Sequence, residues 1–414
     1  MNNQQREQDA PFSARETVPG QLGYRQLYPH RLLKIRQRLV GGIAWTVAVG
    51  IVLVAVLLFT FWRSASPPVR VMEATYNMQN AKVASQINSL LVKKVAQQQF
   101  SGSVLIASRG QVVLSKGYSM ADWERQVPNT PDTRFYLGST TKQFTAMAIL
   151  ILQERGKLHV RDSLCTYIAS CPSAWKPVTI ANVLTHTSGI PQLDDSILPT
   201  TTPQSWIAAF NGLSLVYAPG SEFSYCSVCY QILGYVVAQA SGESYSAFLQ
   251  QAIFDPLKMK DSGSGDASYT SVRNHAIGYA GWQVLDVDAG MTIDPRLSFL
   301  FGSGLVYSSA EDMYLWDQAL SHHTLLSQRT LDEAFTPYVA SQYAGSSYGY
   351  GWFIGHSPVA GHKLIWHDGK IPGFRSYIGR YPDDGVTIII VSNLATLDEM
   401  VLAHELEQIV FAHR

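Results

Sequence analysis

Apolar positions fall into three patterns along this chain. The first is an unbroken run, Leu39 to Trp62, which is 24 residues without a charged side chain. That is enough to cross a bilayer, which takes about 20 apolar residues. The second is helical spacing: between Asn80 and Gln99, the residues Val83, Ile87, Leu90, Leu91 and Val95 recur at intervals that place them on one side of a helix. The same period predicts helices over 139–153, 230–251 and 397–412. The third is short apolar runs bounded by turn formers. SGSVLIASRG and QVVLSKGYSM around Arg109-Gly110 predict a hairpin. YGYGWFIG, HKLIWHDG, FRSYIGRYP and GVTIIIVSN predict strands in the last third. Residues 163–191 are rich in turn formers. Strands at both ends with helices between them predict one α+β domain in which distant segments pair in a sheet.

Composition changes this picture little. The 414 residues are 46% hydrophobic and 15% charged, with 31 basic and 31 acidic side chains, which excludes a disordered or fibrous chain. The charge is unevenly spread, with seven basic and three acidic residues in 1–38, and 24 basic and 28 acidic in 63–414. The outer part is therefore mildly acidic and offers nucleic acid no bulk attraction. Arg31, Lys34, Arg36 and Arg38 precede the apolar run, and only Arg63 and Arg70 follow closely. The positive-inside rule then places the N-terminus in the cytoplasm and the C-terminal mass outside. The expected organisation is a basic cytoplasmic tail (1–38), a transmembrane helix (39–62), a stalk containing Pro67-Pro68 (63–79) and a catalytic domain (80–414) in the periplasm or exterior. A cleaved signal peptide fits less well, because its apolar region is normally 7–15 residues.

Candidate chemistry centres on Gly138-Ser139-Thr140-Thr141-Lys142. Ser139 and Lys142 stand three apart at the start of a predicted helix, so they are neighbours on one face. A serine hydroxyl needs a nearby base to become a nucleophile. A lysine serves as one when burial or a neighbouring charge lowers its pKa. By itself the string also describes an N-cap serine beside a surface lysine.

Further motifs in order along the chain decide between these readings. Leu184–Pro191 reads LTHTSGIP, the stretch from Pro219 carries Tyr225-Cys226-Ser227, Gly302–Trp316 reads GSGLVYSSAEDMYLW, and WHDGKIPGF carries His367-Asp368-Gly369. With these, residues from about Ser101 to Asn393 resemble the penicillin-binding serine hydrolases, in their class C β-lactamase-like branch. The resemblance implies an antiparallel sheet flanked by helices with an inserted, mainly helical region, and an acyl-enzyme mechanism on amide, ester or lactam substrates, with D-amino-acyl peptides, β-lactams and esters as the candidates. It makes Ser139 the acyl-accepting nucleophile, Lys142 its partner and Tyr225 the proton-transfer group. The N–H groups of Ser139 and Lys370 become an oxyanion hole, where each donor is often worth ~3 kcal/mol. Gly369 lets substrate backbone approach. His367 stands where other branches have lysine, so a charge on it at low pH would attract a substrate carboxylate. A phenol needs cationic neighbours to act as a base, and Lys142 and a protonated His367 are the candidates. His186 is expected to be structural, bonding backbone carbonyls. No cofactor or metal is implied; the partners are a small-molecule or peptide substrate and, through the N-terminal helix, a membrane.

The pattern departs from the family at Ser227, where asparagine is usual. An asparagine amide donates and accepts, whereas serine has one donor. This motivates an alternative reading, a catalytically degenerate member that binds cell-wall fragments or a protein partner. Cys165 with Cys171 and Cys226 with Cys229 are the preferred disulfides, although four cysteines allow three connectivities. A four-thiolate metal site and Cys-x-x-Cys redox chemistry are the alternatives. Gly345–Gly349 fits Gly-x-Ser-x-Gly, but an aromatic strand rather than a helix is predicted after it, so it reads as a loop.

Overall fold

A strand buried on both faces must be apolar on both, and Val386–Ser392, VTIIIVS, meets that condition with every residue buried. It lies inside an eight-stranded sheet. The computed structural model describes residues 78–193, 203–265, 273–281, 283–284, 301–343, 345–359 and 361–412. These belong to one compact unit, residues 74–414. The expected tail and transmembrane segment, and all but the end of the expected stalk, lie outside the described residues. Among the described residues, no helix is long and apolar enough to cross a membrane.

In chain order the elements that position the site are α1 (Met78–Ala96), β1 (Gly102–Ser108), β2 (Gln111–Tyr118), α2 (Thr141–Glu154), α3 (Ser227–Ser241), α4 (Ala310–Ser321), β3 (Val339–Ala340), β4 (Ser347–Tyr348), β5 (Phe353–His356), β6 (Lys363–Ile371), β7 (Phe374–Tyr381), β8 (Val386–Ser392) and α5 (Glu399–Phe411). The sheet order is β3-β4-β5-β6-β7-β8-β1-β2, and every pairing is antiparallel. The predicted hairpin is present, with Arg109 and Gly110 both at positive φ between Ser108 and Gln111. That geometry matches the right-handed twist of the flanking strands. β1 also pairs with β8, from Gly102 opposite Ser392 to Ser108 opposite Val386, so the two ends of the domain are neighbours within the sheet.

Alternate side chains of these strands serve two cores. Val104, Ile106, Ile388 and Ile390 face Val83, Ile87 and Leu91 of α1 and Leu402, Leu406 and Val410 of α5. Leu105, Ala107, Ile389 and Val391 belong to the larger core with Phe144 and Met147 of α2 and Ile232, Leu233 and Val236 of α3. The expected α+β architecture is observed. The helix predicted over 230–251 is divided: α3 begins at Ser227 and ends at Gly242, whose φ of 78° closes the last turn by bonding Ala238, and a separate helix spans Tyr245–Leu249. Apolar periodicity runs through that break because both pieces pack against the same core. Ser347, in the Gly-x-Ser-x-Gly string, sits on the two-residue strand β4, with β5 rather than a helix after it.

Candidate active site

The segment Phe135–Tyr136 pairs with Tyr307–Ser308, and Leu137 N–H bonds Val306 O at 2.9 Å. The chain then makes one tight turn, Gly138–Thr140, into α2. The turn is pinned to the sheet by Ser376 of β7, whose Oγ donates to Leu137 O at 2.6 Å and lies 2.8 Å from Thr140 Oγ1. Ser139 is left partly exposed at the head of α2, while Lys142, one turn on, is fully buried. Lys142 Nζ donates to Ser139 Oγ at 3.0 Å and to Ser303 O at 2.9 Å, and it stands 5.0 Å from the centre of the Tyr225 ring. Burial lowers the Lys142 pKa to about 7, with the Asp368 carboxylate acting the other way. A lysine with that pKa holds a substantial neutral fraction at neutral pH and can accept the Ser139 proton.

Tyr225 lies two residues before α3, next to its N-cap Cys226. Lys142 Nζ thus lies beside both the Ser139 hydroxyl and the Tyr225 ring, so Ser139, Lys142 and Tyr225 meet as expected. Burial holds the Tyr225 phenol well above its ordinary pKa; the Ser139 side chain opposes that shift, and Asp368, Tyr230 and Tyr343 add to it. The phenol is therefore protonated near neutrality, which favours Lys142 as the base and Tyr225 as a proton donor. Ser227 is the first residue of α3, with a partly buried side chain.

The third motif lies on β6. β5 pairs with β6 no further than Trp366, while β7 pairs with it to Ile371, so residues 367–371 present one unpaired edge among the described residues. Ile371 and Phe374 flank a two-residue turn and exchange hydrogen bonds, so the next pair, Lys370 and Arg375, is the non-hydrogen-bonded kind. Lys370 N–H therefore points to the free edge. There the Ser139 turn packs so closely that a Cβ on Gly138 would lie 2.7 Å from Lys370 N, and one on Gly369 only 1.9 Å from Leu137 O. Glycine at both positions lets the two expected oxyanion donors converge.

His367 departs from the expected cation. It is buried, its Nε2 lies 3.1 Å from Tyr348 Oη, and its Nδ1 lies 2.6 Å from Asp368 O. Burial, with Lys142 nearby, lowers its pKa to about 3. It is neutral at physiological pH and supplies no field for a phenolate or for a substrate carboxylate. His186 is also buried, but it bonds a backbone N–H rather than carbonyls, its Nδ1 accepting from Cys226 N–H at 3.0 Å. Both preferred disulfides, Cys165–Cys171 and Cys226–Cys229, are formed. Among the described residues, no cluster of three or more His, Cys, Asp or Glu is arranged to hold a metal.

Three site residues are invisible to local pattern. Ser303, within the GSGLVYSS stretch that shares the family resemblance, contributes its carbonyl to Lys142. Tyr348 caps His367. Glu399, at the head of α5, lies 3.0 Å from Lys370 Nζ, which is also 3.9 Å from Asp368.

The family model described as Beta-lactamase matches residues 87–410. The putative penicillin-binding protein PbpX of Bacillus subtilis is 34% identical over 295 residues, 70% of each chain. Penicillin-binding protein 4* of the same organism is 29% identical over 315 residues, 71% of this chain and 68% of its own. Among solved structures, the octameric penicillin-binding protein homologue from Pyrococcus abyssi superposes with a TM-score of 0.69 at 28% identity, covering 79% of this chain and 77% of that one.

Proposed function

The chain belongs to the Beta-lactamase family, and from that premise we propose that it is a membrane-anchored serine hydrolase working through an acyl-enzyme. The observation that carries this reading is the buried Lys142, its Nζ 3.0 Å from Ser139 Oγ and its pKa near 7. Ser139 Oγ attacks the carbonyl carbon of an amide, ester or lactam as its proton passes to neutral Lys142. The carbonyl π-electrons move to oxygen, where the N–H groups of Ser139 and Lys370 stabilise the charge. The oxyanion collapses, the bond to the leaving group breaks, and that group receives a proton from Tyr225, which regains one from Lys142. Water then attacks the acyl-enzyme by the same relay and releases the acid and free Ser139. Residues 39–62 anchor the chain, with the catalytic domain in the periplasm or exterior.

Ser227 narrows the substrate range. Without an asparagine amide to hold the acyl side of a β-lactam, esters and small acyl donors fit this site better than efficient lactam hydrolysis. The same departure favours the second reading, a binding protein without turnover. A fluorophosphonate probe separates the two. Labelling of Ser139, confirmed by peptide mass mapping and lost in Ser139→Ala, is the expected result. A folded chain that stays unlabelled supports the binding reading.

A further inference from the structure

The function proposed above assigns no role to His186, yet this residue holds the chain on both sides of the proton-transfer tyrosine. Its carbonyl accepts from Ser224 N–H at 3.0 Å, and its Nδ1 accepts from Cys226 N–H at 3.0 Å. The amides flanking Tyr225 are thus both fastened to one residue. Its imidazole also lies against the Tyr225 ring, with centroids 4.4 Å apart and planes 36° apart. Phe223, Tyr230 and Tyr348 enclose the same imidazole at 4.7–5.8 Å. Nδ1 accepts, so the ring proton of the neutral form is on Nε2, and Nε2 has no hydrogen-bond partner among the described residues. The backbone of His186 has φ 58°, a sparsely populated conformation for a non-glycine residue that the surrounding structure must hold. The carbonyl also accepts from Tyr217 Oη at 3.4 Å, and a residue fixed by aromatic packing, with both of its acceptors bonded to neighbours of Tyr225, is placed to set where that phenol stands.

We propose that His186 is the positioning residue for Tyr225, holding the phenol at Ser139 through its two bonds to Ser224 and Cys226 and through its ring face. This rests on the reading of Tyr225 as the leaving-group proton donor. A displacement of about 1 Å at a reacting group can cost a hundredfold in rate. In acylation the loss should fall on leaving groups that need a proton and spare those that depart unaided.

Two variants divide the contributions. His186→Asn keeps a side-chain acceptor for Cys226 N–H and tolerates the positive φ, but removes the ring. His186→Phe keeps a ring and removes the acceptor. Each is assayed as full-length protein on 4-nitrophenyl acetate and ethyl acetate, beside Tyr225→Phe. In each variant kcat/KM, which reports acylation and not the deacylation that the two acetates share, should fall at least tenfold further on the ethyl ester than on the nitrophenyl ester, as in Tyr225→Phe. An equal loss on both esters, or no loss, overturns the proposal.

NMR tests it without activity. In protein carrying 13Cζ-tyrosine, the Tyr225 signal, assigned with Tyr225→Phe, should move in His186→Phe, which keeps an aromatic ring beside Tyr225, and stay put in a His404→Asn control in α5; an unmoved signal overturns the proposal. If the wild type hydrolyses neither ester and resists the fluorophosphonate but the signal moves, the hydrolase reading fails and the positioning stands. Should both His186 variants fail to fold, 15N-histidine spectra of the wild type decide. They should show the His186 proton on Nε2 from pH 5 to 8, and a proton on Nδ1 overturns the proposal.

Discussion

An ammonium group buried away from water gives up its proton far more readily than an exposed one, and Lys142 is the residue where this bears on rate. Below its pKa of about 7 the charged Nζ has no lone pair to take the Ser139 proton. The second-order constant for Ser139 labelling is therefore expected to rise roughly tenfold per pH unit up to about 7 and then level off. Asp368 pulls the Lys142 pKa upward, so Asp368→Asn should move that limb to lower pH. His367, lowered to about 3, adds no step between pH 5 and 8. A rate profile with a step near 6.5 that vanishes in His367→Gln would contradict this assignment. The nucleophile and its lysine were legible because they stand three apart where a turn leads into one helix. The charge state of His367 was not, because it follows from burial beneath Tyr348 and Phe353, residues whose approach no local string encodes.

Among the elements, the meeting of β6 with the turn before α2 matters most. Their backbones approach so closely at Gly369 that a methyl group would sit 1.9 Å from the Leu137 carbonyl and 2.4 Å from Ser376 Oγ. The first of these is main chain and cannot swing aside. Gly369→Ala must push β6 away from the Ser139 turn and open the oxyanion hole. Overpacking of this kind typically costs 1–3 kcal/mol. Losing one oxyanion donor costs about 10²–10³ in kcat. The expected outcome is a lower thermal midpoint, read by circular dichroism, with at least a hundredfold slower labelling of Ser139. Wild-type labelling in that variant would place the oxyanion donors elsewhere. Sequence located both partners of this contact, GSTTK and WHDG. It could not show the free edge of β6 at residues 367–371, because that depends on where β5 stops pairing.

At the scale of the whole chain, orientation and cysteine chemistry are one claim. Both disulfides need an oxidising compartment, since cytosolic thiols are kept reduced. The proposal that the catalytic domain lies outside the cytoplasm rests independently on the basic residues before Leu39. The period-3.6 and period-2 patterns made the sheet and its covering helices legible. The pairing of β1 with β8 was only a topological expectation, because it joins residues nearly three hundred positions apart. A phosphatase reporter that is active only outside the cytoplasm, fused after Trp62, is expected to be active. Thiol titration of the denatured, unreduced full-length chain is expected to find none of the four cysteines free. Activity with free thiols would mean that the domain is exported but the bridges do not form there. An inactive reporter with intact bridges would remove the charge argument while leaving the fold in place. An inactive reporter with free thiols would put the domain in the cytoplasm, beyond reach of any cell-wall substrate.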